Sequence, residues 1–197
     1  IKMMFSFIKR IFDIIFSITL IFILFPLLIL VYIIIFLEIR QNPIFTQYRN
    51  GKDLKKFKIF KFKTMYKPED GINVFVQATK NDSRVTKIGK FLRSSSIDEI
   101  PQIFNIFIGN MSFVGPRPHP IALDEEFITQ ISSYKKRYQM KPGITGLAQV
   151  NGFRGETDTL EKMENRVFKD IEYVNNHSII GDFIILLKTL KVLFKGV

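Results

Sequence analysis

The feature that most constrains this chain is a run of apolar residues, 14–37, that contains no charged side chain. A bilayer core of roughly 30 Å is crossed by about 20 helical residues, so the run is long enough to span a membrane. It is too long for a secretory signal peptide and lacks a small-residue cleavage site. The run predicts a membrane-embedded helix, and the ordinary interpretation of such a helix is a bitopic span.

Two features of this segment favour instead a helix that enters and leaves the membrane through one leaflet. Pro26 stands near its middle, where it removes a backbone hydrogen bond and can bend the helix. Both flanks are basic, and basic flanks are retained in the cytoplasm. We therefore predict a re-entrant membrane helix at 1–40 and a cytoplasmic domain at 41–197. The basic flanking residues are Lys2, Lys9, Arg10, Arg40, Arg49, Lys52, Lys55 and Lys56.

The overall charge indicates an anionic partner. The chain has 29 Lys and Arg against 18 Asp and Glu, and its net charge of +11 suits a membrane surface, a nucleic acid or a phosphorylated substrate. The absence of Cys excludes disulfides and thiolate metal sites, and two His without an H-E-x-x-H pattern argue against zinc. At 197 residues the chain is sized for one domain. Its start at Ile rather than Met leaves room for missing residues upstream.

Residues 38–67 combine basic side chains with interleaved aromatic ones. Such a stretch can bind single-stranded nucleic acid, but directly after a membrane segment it is more typical of attraction to anionic lipid headgroups. Within it, the alternation of Lys with Phe and Ile slips by one position at 59–60. This slip predicts one or two strands with a bulge.

Helical periodicity predicts four further helices beyond a loop at 67–81. With the strands, they predict an α/β-class domain that is mostly helical with a small sheet. The approximate ranges of these helices are 82–93, 124–137, 162–176 and 183–194.

Two of these helices carry basic faces. The first would align four cations, either as a solvated face or as a contact with phosphate or the membrane surface. The last has three lysines opposite apolar residues, the pattern of an interfacial helix, with a helix packed on the core as the alternative. The cations are Arg84, Lys87, Lys90 and Arg93 in the first helix, and Lys188, Lys191 and Lys195 in the last.

The stretch 94–118 contains the strongest candidate for a functional site. Ser96 and Glu99 have the spacing of a capping box, which predicts that a helix begins there. Asp98 and Glu99 would lie in its first turn, where unpaired N–H groups and the helix dipole favour negative charge. The acids either cap the helix or mark a place where a phosphate finds donors. The predicted core face of this helix consists of Ile97, Ile100, Phe104, Phe107 and Ile108.

Arg117 lies between two prolines at 116 and 118. Because prolines restrict the backbone on both sides, Arg117 is expected on a stiff segment suited to bidentate contact with a phosphate or carboxylate. The alternatives are a substrate contact and a structural salt bridge, for which Asp13 is a candidate partner. Asp13 itself lies at the apolar edge and needs a partner, for which Arg10 or a downstream Arg is expected. His119 is expected to be a loop residue rather than a general base.

Three long motifs occur in order: Asp-Glu-Ile-Pro-Gln at 98–102, Gly-Asn-Met-Ser-Phe-Val-Gly-Pro-Arg-Pro at 109–118, and Lys-Pro-Gly-Ile-Thr-Gly-Leu-Ala-Gln-Val at 141–150. Shorter ones are Lys-Arg-Ile-Phe-Asp at 9–13, Gln-Tyr-Arg-Asn-Gly at 47–51, Lys-Phe-Lys-Thr-Met at 61–65 and Arg-Gly-Glu-Thr-Asp-Thr at 154–159. From residue 9 to the C-terminus the chain resembles the bacterial sugar transferase family, the monotopic phosphoglycosyl transferases. The motif at 154–159 is similar to a signature of the branch that transfers hexose 1-phosphate.

The resemblance implies an enzyme that moves a sugar 1-phosphate, with glucose or galactose expected, from a UDP-sugar to undecaprenyl phosphate and releases UMP. It implies that Asp98 is the nucleophile that forms a covalent phosphosugar adduct and that Glu99 holds Mg²⁺. Arg117 would bind phosphate or nucleotide. Other phosphate or substrate contacts are expected from Arg93, Lys63, Arg49 and Arg154.

The resemblance also implies where the enzyme works. It predicts a re-entrant hairpin with Arg10, Asp13 and Pro26 at the cytoplasmic face of the bacterial inner membrane, contact with anionic lipid, and the first membrane step of surface polysaccharide assembly. No nucleic acid partner is expected, and a homo-oligomer is left open. Two rival hypotheses remain: a bitopic membrane protein with a basic nucleic-acid-binding domain, and a membrane-bound interaction scaffold.

Overall fold

The computed structural model describes residues 2–66, 79, 82–155, 157 and 159–195. Most of them are helical, and their short strands form two separate pairs, which confirms the predicted mostly helical α/β class. The helices are α1 (Lys2–Ile39), α2 (Lys87–Ser95), α3 (Gln102–Ile108), α4 (Ile121–Gln130), α5 (Leu147–Val150), α6 (Leu160–Asn176) and α7 (Ile179–Lys195). The strands are β1 (Ile44–Asn50), β2 (Lys56–Phe62), β3 (Ser112–Val114) and β4 (Gly143–Thr145). The loop predicted at 67–81 lies outside the described residues except for position 79.

Helix α1 is continuous through Pro26, and it is long and apolar enough to cross a membrane. Both sides of the proline nevertheless pack on the same domain. Before it, the rings of Phe16 and Phe113 lie 4.9 Å apart, centroid to centroid. After it, Ile35 is buried in a cluster with Phe62 of β2. The domain therefore contacts α1 at two places rather than at one end.

The polar residues near the start of α1 have other partners than the sequence suggested. Asp13 accepts hydrogen bonds from Ser112 Oγ and the Phe113 backbone N–H, each at 3.1 Å. Arg10 donates to the backbone carbonyls of Ile106 and Phe107, at 2.6 and 2.7 Å. The predicted pairing of Asp13 with an arginine is therefore wrong, because a hydroxyl and a backbone N–H of β3 satisfy Asp13, and backbone carbonyls at the end of α3 accept from Arg10.

Strands β1 and β2 form an antiparallel hairpin whose register is unbroken along its length. The bulge predicted at 59–60 is therefore wrong. The pattern slips because β2 is buried on opposite faces at its two ends. Phe57 and Ile59 belong to one core cluster, whereas Phe62 packs with α1 and α2 in another.

Strands β3 and β4 are parallel, and they place the segment of Arg117 beside the segment that begins at Lys141. Two glycines permit this approach. A Cβ on Gly115 would lie 2.4 Å from the Lys141 carbonyl oxygen, and a Cβ on Gly143 would lie 2.1 Å from the Gly115 nitrogen. Larger residues would force the two segments apart at the point where the backbone turns toward the site.

The stretch 96–108 folds differently from the predicted single helix. Ser96 adopts a left-handed conformation with φ 60° and makes no side-chain cap, so the capping box is wrong. A 3₁₀ turn, Ile97–Glu99, precedes α3, which begins only after Pro101. The Asn105 side chain accepts from the Phe60 N–H at 2.9 Å and donates to a β2 carbonyl, so this polar face turns inward.

The predicted core face of α3 is consequently wrong. Gln102, Ile103, Asn105 and Ile106 are buried. The apolar residues predicted to face the core include three exposed ones, Phe104, Phe107 and Ile108, with 38%, 41% and 57% of their surface accessible.

The remaining helices agree with the sequence in part. Arg84 lies before α2 and pairs with Asp82, so the predicted face of four cations is wrong. The predicted helix 124–137 is wrong as one element, because α4 ends at Gln130 and a separate 3₁₀ turn, Tyr134–Gln139, follows. Helix α6 is confirmed with its apolar face buried.

Helix α7 is also confirmed as a helix. Lys188 and Lys191 are exposed, and so are Phe183, Leu187 and Leu190 on its apolar side. A helix exposed on both its polar and its apolar side fits the interfacial interpretation. The side chain of Lys195 lies outside the described residues.

Candidate active site

The two adjacent acids of the 3₁₀ turn lie together at one cavity. Asp98 and Glu99 are each 8% exposed and line a cavity of about 290 Å³. In a regular α-helix neighbouring side chains point about 100° apart. Here the left-handed Ser96 and Pro101 interrupt the chain on either side of the pair, so both carboxylates reach the same cavity.

Glu99 is tied to two cations. Arg117 forms a bidentate pair with it, in which the distance from Nη1 to Oε2 is 3.0 Å, and Lys61 Nζ donates to Oε1 at 3.0 Å. Burial alone would raise the pKa of Glu99, but Arg117 and Lys61 outweigh that effect and hold its pKa well below the usual value. Glu99 is therefore ionised at neutral pH. Arg117 therefore pairs with Glu99, and the prediction that Asp13 is the salt-bridge partner of Arg117 is wrong.

Asp98 has a contrasting environment. Within the part of the chain that the structure describes, no hydrogen-bond donor reaches its carboxylate. Burial and then the negative charge of Glu99 raise its pKa to about 6, against the opposing influence of Lys61, Arg93 and Arg117. A carboxylate that is ionised at neutral pH and not engaged by donors is free to act as a nucleophile.

Most of the charged residues that the structure describes in the lining of this cavity are cations. Four of the predicted substrate-binding residues converge on it, which are Arg49, Arg93, Arg117 and Arg154. Lys63 lies instead in an adjoining cavity of about 400 Å³, which shares Asp98 with the first. Two cavities thus meet at one carboxylate, with cations lining both.

The motif at 154–159, which resembles a signature of the hexose 1-phosphate branch, contributes one wall of the cavity. Arg154 donates to Ser96 Oγ at 2.6 Å, which connects this motif to the turn that carries the acids. Gly155 and Thr157 also line the cavity. Glu156 and Asp158 of the same motif lie outside the described residues.

Sequence reasoning missed three lining residues, namely Lys61, Gln102 and Arg166. A signal existed for two of them. Lys61 continues the alternation of buried Phe57 and Ile59 and so belongs to the inward face of β2. Arg166 lies three residues after buried Met163, within the apolar face of α6. A charged residue in an apolar stripe is expected to serve a paired or functional role.

A second group of charges lies behind the cavity and holds the Arg117 backbone. Arg137 donates to the Arg117 carbonyl at 2.7 Å and to Asp170 Oδ2 at 2.6 Å. His119 is in the loop, as predicted, but it is buried beside Arg137. Burial, then the positive charge of Arg137, holds the pKa of His119 well below its usual value, so it is neutral. The same group includes Asp124, which accepts from Tyr134 Oη at 2.8 Å.

The donor set at the cavity is compatible with Mg²⁺. No cluster of three or more His, Cys, Asp or Glu occurs among the described residues. Mg²⁺, however, usually takes only one or two carboxylates and completes its shell with water and substrate phosphates. Asp98 and Glu99 supply that number. Gln102, whose buried Nε2 has no partner in the described part of the chain, adds an N–H donor for a phosphate oxygen at the same wall.

Comparison with known proteins gives a consistent result. The sequence model of the family described as "Bacterial sugar transferase" matches residues 4–196. A UDP-glucose:undecaprenyl-phosphate glucose-1-phosphate transferase of Klebsiella pneumoniae is 48% identical, over 95% of this chain and 40% of its own length. A protein of the same name from Caulobacter vibrioides is 44% identical, over 92% of this chain and 68% of its own. The exopolysaccharide production protein PSS of Rhizobium leguminosarum is 40% identical, over 92% of both.

The chain thus spans less than half the length of the Klebsiella relative, and it corresponds to nearly all of the Rhizobium one. Since the family match covers almost every residue, including the acids, the cations of the cavity and helix α1, this chain belongs to the bacterial sugar transferase family.

Proposed function

We propose that this chain transfers a hexose 1-phosphate, glucose 1-phosphate first among the candidates, from a UDP-sugar to undecaprenyl phosphate and releases UMP. The observation that carries the proposal is the unequal pair of acids. Glu99 is held by two cations, whereas Asp98, which no donor among the described residues engages, lies at the junction of two cation-lined cavities. The names of the Klebsiella and Caulobacter relatives supply the substrates.

The reaction is a double displacement on phosphorus. A carboxylate oxygen of Asp98 attacks the sugar-bearing phosphorus of the UDP-sugar, and the bond from that phosphorus to the bridging oxygen breaks. UMP leaves with the electron pair, and an acyl phosphate joins Asp98 to the sugar phosphate. A phosphate oxygen of undecaprenyl phosphate then attacks the same phosphorus and expels the Asp98 carboxylate. The product is undecaprenyl diphosphate sugar.

The chain's own charges serve both steps. The cations of the cavity offset the charge of the diphosphate and of the transition state, where such preorganised charges act most strongly. Arg137 holds the backbone carbonyl of Arg117, and Glu99 orients the Arg117 guanidinium at the cavity wall, where it would contact phosphate. Glu99, with Asp98 beside it, would hold Mg²⁺, which supplies further charge neutralisation at the diphosphate.

The packing of α1 supports a re-entrant attachment at the cytoplasmic face of the inner membrane. Between buried Ser17 and buried Val31 lies a stretch of roughly 21 Å of helix. That stretch is shorter than a hydrocarbon core of roughly 30 Å. A straight crossing would therefore draw the domain into the bilayer, whereas a bend at Pro26 keeps both contact regions on one side. Lys188 and Lys191 of α7 would then face anionic headgroups.

Single-cysteine labelling in intact cells tests this attachment, because the chain has no native Cys. We expect cysteines placed at positions 6 and 42 to be equally protected from a membrane-impermeant reagent. Labelling of position 6 alone would show a spanning helix. Pro26→Leu, which restores the missing backbone N–H, should shift part of the population toward that labelled state.

The enzymatic proposal is tested by UMP release from a panel of UDP-sugars with undecaprenyl phosphate and Mg²⁺. UDP-sugar alone should leave an adduct with the mass of a hexose phosphate on the peptide that contains Asp98, and an adduct on Glu99 would contradict the assignment. The nucleic-acid hypothesis predicts instead strong, salt-dependent DNA or RNA binding and no UMP from any sugar. The scaffold hypothesis predicts that Asp98→Asn retains the biological role.

A further inference from the structure

An apolar groove of about 610 Å³ runs beside the candidate active site. One wall is α1, with Phe16 and Leu20, and the opposite wall is α7, with Leu187 and Leu190. The floor comes from β3 and β4 through Phe113 and Ile144. Its volume falls in the range of small-molecule sites, but its lining is almost wholly apolar.

The walls of the groove are fixed by polar contacts in the first turn of α7 and further along the same helix. Lys9 of α1 pairs with Asp182 in the first turn of α7, and Tyr173 Oη donates to the same carboxylate at 2.7 Å. Further along, the hydroxyls of Thr189 and Thr145 lie 2.7 Å apart. These contacts hold the helices on either side of the groove, so the groove is not a gap between loosely associated helices.

One end of the groove meets the charged cavity. Glu99 and Arg154 line both, and Ser96, which accepts from Arg154, lies at the same junction. The opposite boundaries belong to α1 and α7, whose Phe12, Phe183, Leu187 and Leu190 are between 45% and 60% exposed. The groove thus connects a surface suited to hydrocarbon with a cation beside the nucleophile.

We infer that this groove binds the first isoprene units of the polyprenyl phosphate acceptor, with the acceptor phosphate at Arg154. The inference rests on the proposed function and specifies how its second substrate is held. An amphiphile with one anionic head and an apolar tail matches this arrangement. Its head would contact Arg154, the start of its tail would lie in the apolar groove, and the rest of the tail would extend into the membrane. The acceptor phosphate then arrives on the Glu99 side of the acid pair, next to the adduct on Asp98.

Charge and continuity favour this occupant over a bulk phospholipid. A structural lipid needs only the apolar walls, whereas the groove opens beside the buried acids and the guanidinium of Arg154. An acceptor must bring its phosphate to the adduct without drawing its tail out of hydrocarbon. A groove that connects the membrane surface with the charged cavity meets that requirement, and membrane helix α1 supplies one wall of it.

The test uses two tryptophan substitutions on α7. Leu187→Trp places bulk in the groove, and Ile184→Trp is the matched control, because Ile184 lies outside the groove at nearly the same exposure, 45% against 51%. Both full-length variants are assayed in vesicles for UMP release without acceptor and for transfer to undecaprenyl phosphate. We expect the acceptor KM of Leu187→Trp to rise on the order of tenfold, since excluding even two carbons from an apolar site costs roughly that factor.

The two half-reactions separate the possible failures. Ile184→Trp should match the parent chain in both assays. If the parent chain releases UMP but Leu187→Trp has the parental acceptor KM, the groove assignment is wrong and the proposed function stands. If the parent chain releases no UMP from any UDP-sugar, the proposed function is wrong. The groove assignment, which depends on it, is then wrong as well.

Photolabelling decides between the acceptor and ordinary lipid. A polyprenyl phosphate with a diazirine in its second isoprene unit should label peptides of α1 and α7, and undecaprenyl phosphate should compete. Competition to the same extent by an equal amount of distearoyl phosphatidylglycerol would assign the groove to bulk lipid. Labelling confined to the exposed face of α3 would place the tail elsewhere. Either result overturns the inference.

Discussion

Two groups of buried charge lie back to back in this domain, and they use the same residue types for different ends. In the group behind the cavity, Arg137 is 1% exposed and its guanidinium donates to Asp170, to the Arg117 carbonyl and to the ring of His119 or the hydroxyl of Tyr134. Its donors are consumed within the fold. We call this the support group: Asp124, Tyr134, Arg137 and Asp170.

In the other group, the charged side chains face a cavity. Lys61, Arg117 and Glu99 pair with one another, yet the same cavity also receives Arg49, Arg93, Arg154 and Arg166. Among the described residues of this lining, the acids are Asp98 and Glu99. Burial of charge is therefore not in itself a sign of function. A group whose charges are all paired within the fold stabilises it, whereas charged side chains that line a cavity can also contact a ligand.

The largest effect that this comparison predicts is for Asp98→Asn. Loss of the nucleophile should lower turnover by at least about 10⁴-fold and abolish the adduct. The variant should nevertheless be no less stable. The pKa of Asp98 is raised to about 6 in the fold, so its ionisation costs stability as pH rises from about 4 to 6.

Thermal unfolding at two pH values checks the second part. The gain in Tm of Asp98→Asn over the parent chain should be present at pH 8 and much smaller at pH 4, where the folded carboxyl is protonated and its buried ionisation no longer costs stability. A lower Tm at pH 8 would place Asp98 in a structural role. Turnover within tenfold of the parent would exclude it as the nucleophile.

A paired substitution of the two arginines tests the comparison directly. Arg137→Met leaves the buried carboxylate of Asp170 without its partner and should cost about 3–5 kcal/mol of unfolding free energy. Arg117→Met should cost no more than about 1–2 kcal/mol, because Glu99 keeps Lys61, but it should lower kcat/KM by about 100-fold or more. Urea unfolding and UMP release measure the two quantities. If Arg117→Met is the less stable of the two, the division of roles is reversed.

The regular elements could be predicted from sequence because their signals are local. The apolar period of α6 and the charge-free run of α1 each extend over several turns, and both were predicted correctly as helices. The prediction for 96–108 was wrong because the conformation of this stretch depends on contacts with a strand that is distant in sequence. Asn105 binds the backbone of β2, and this contact turns inward a face that periodicity assigns to solvent.

The site shows the same division. Asp98, Glu99 and Arg117 lie in motifs that resemble a known family, so they could be named from the sequence. The contact between Glu99 and Lys61 could not, because it joins residues 38 positions apart through the packing of β2 on the 3₁₀ turn. Arg137 was missed for a similar reason, since its partners come from three separate segments.

The pH dependence of catalysis sharpens the distinction between the two acids. Because the reacting carboxylate must be ionised, kcat/KM for the UDP-sugar should fall about tenfold per pH unit below about 6 and level off above it. Glu99→Gln removes a negative charge that raises the pKa of Asp98. The fall of kcat/KM at acid pH, the acid limb of the profile, should therefore move to lower pH. Part of the lost activity should return at high Mg²⁺. If the acid limb of the Glu99→Gln variant stays at the parental pH, the ionisation of a group other than Asp98 controls it.

The smallest effect is predicted for Lys61→Met, and its sign is opposite. Lys61 lowers the pKa of Asp98, so its removal should move the acid limb to higher pH. At pH 8, where Asp98 is ionised in both proteins, the loss in kcat/KM should be only about threefold, as expected for one of several cations at the cavity. Below pH 6 the loss should approach tenfold. Lys58→Met is the matched control, because Lys58 lies on the same strand but on its solvent side, 5.4 Å from the centre of the Tyr48 ring. A loss that is equal at all pH values would mean that Lys61 acts on the substrate phosphate and not through the ionisation of Asp98.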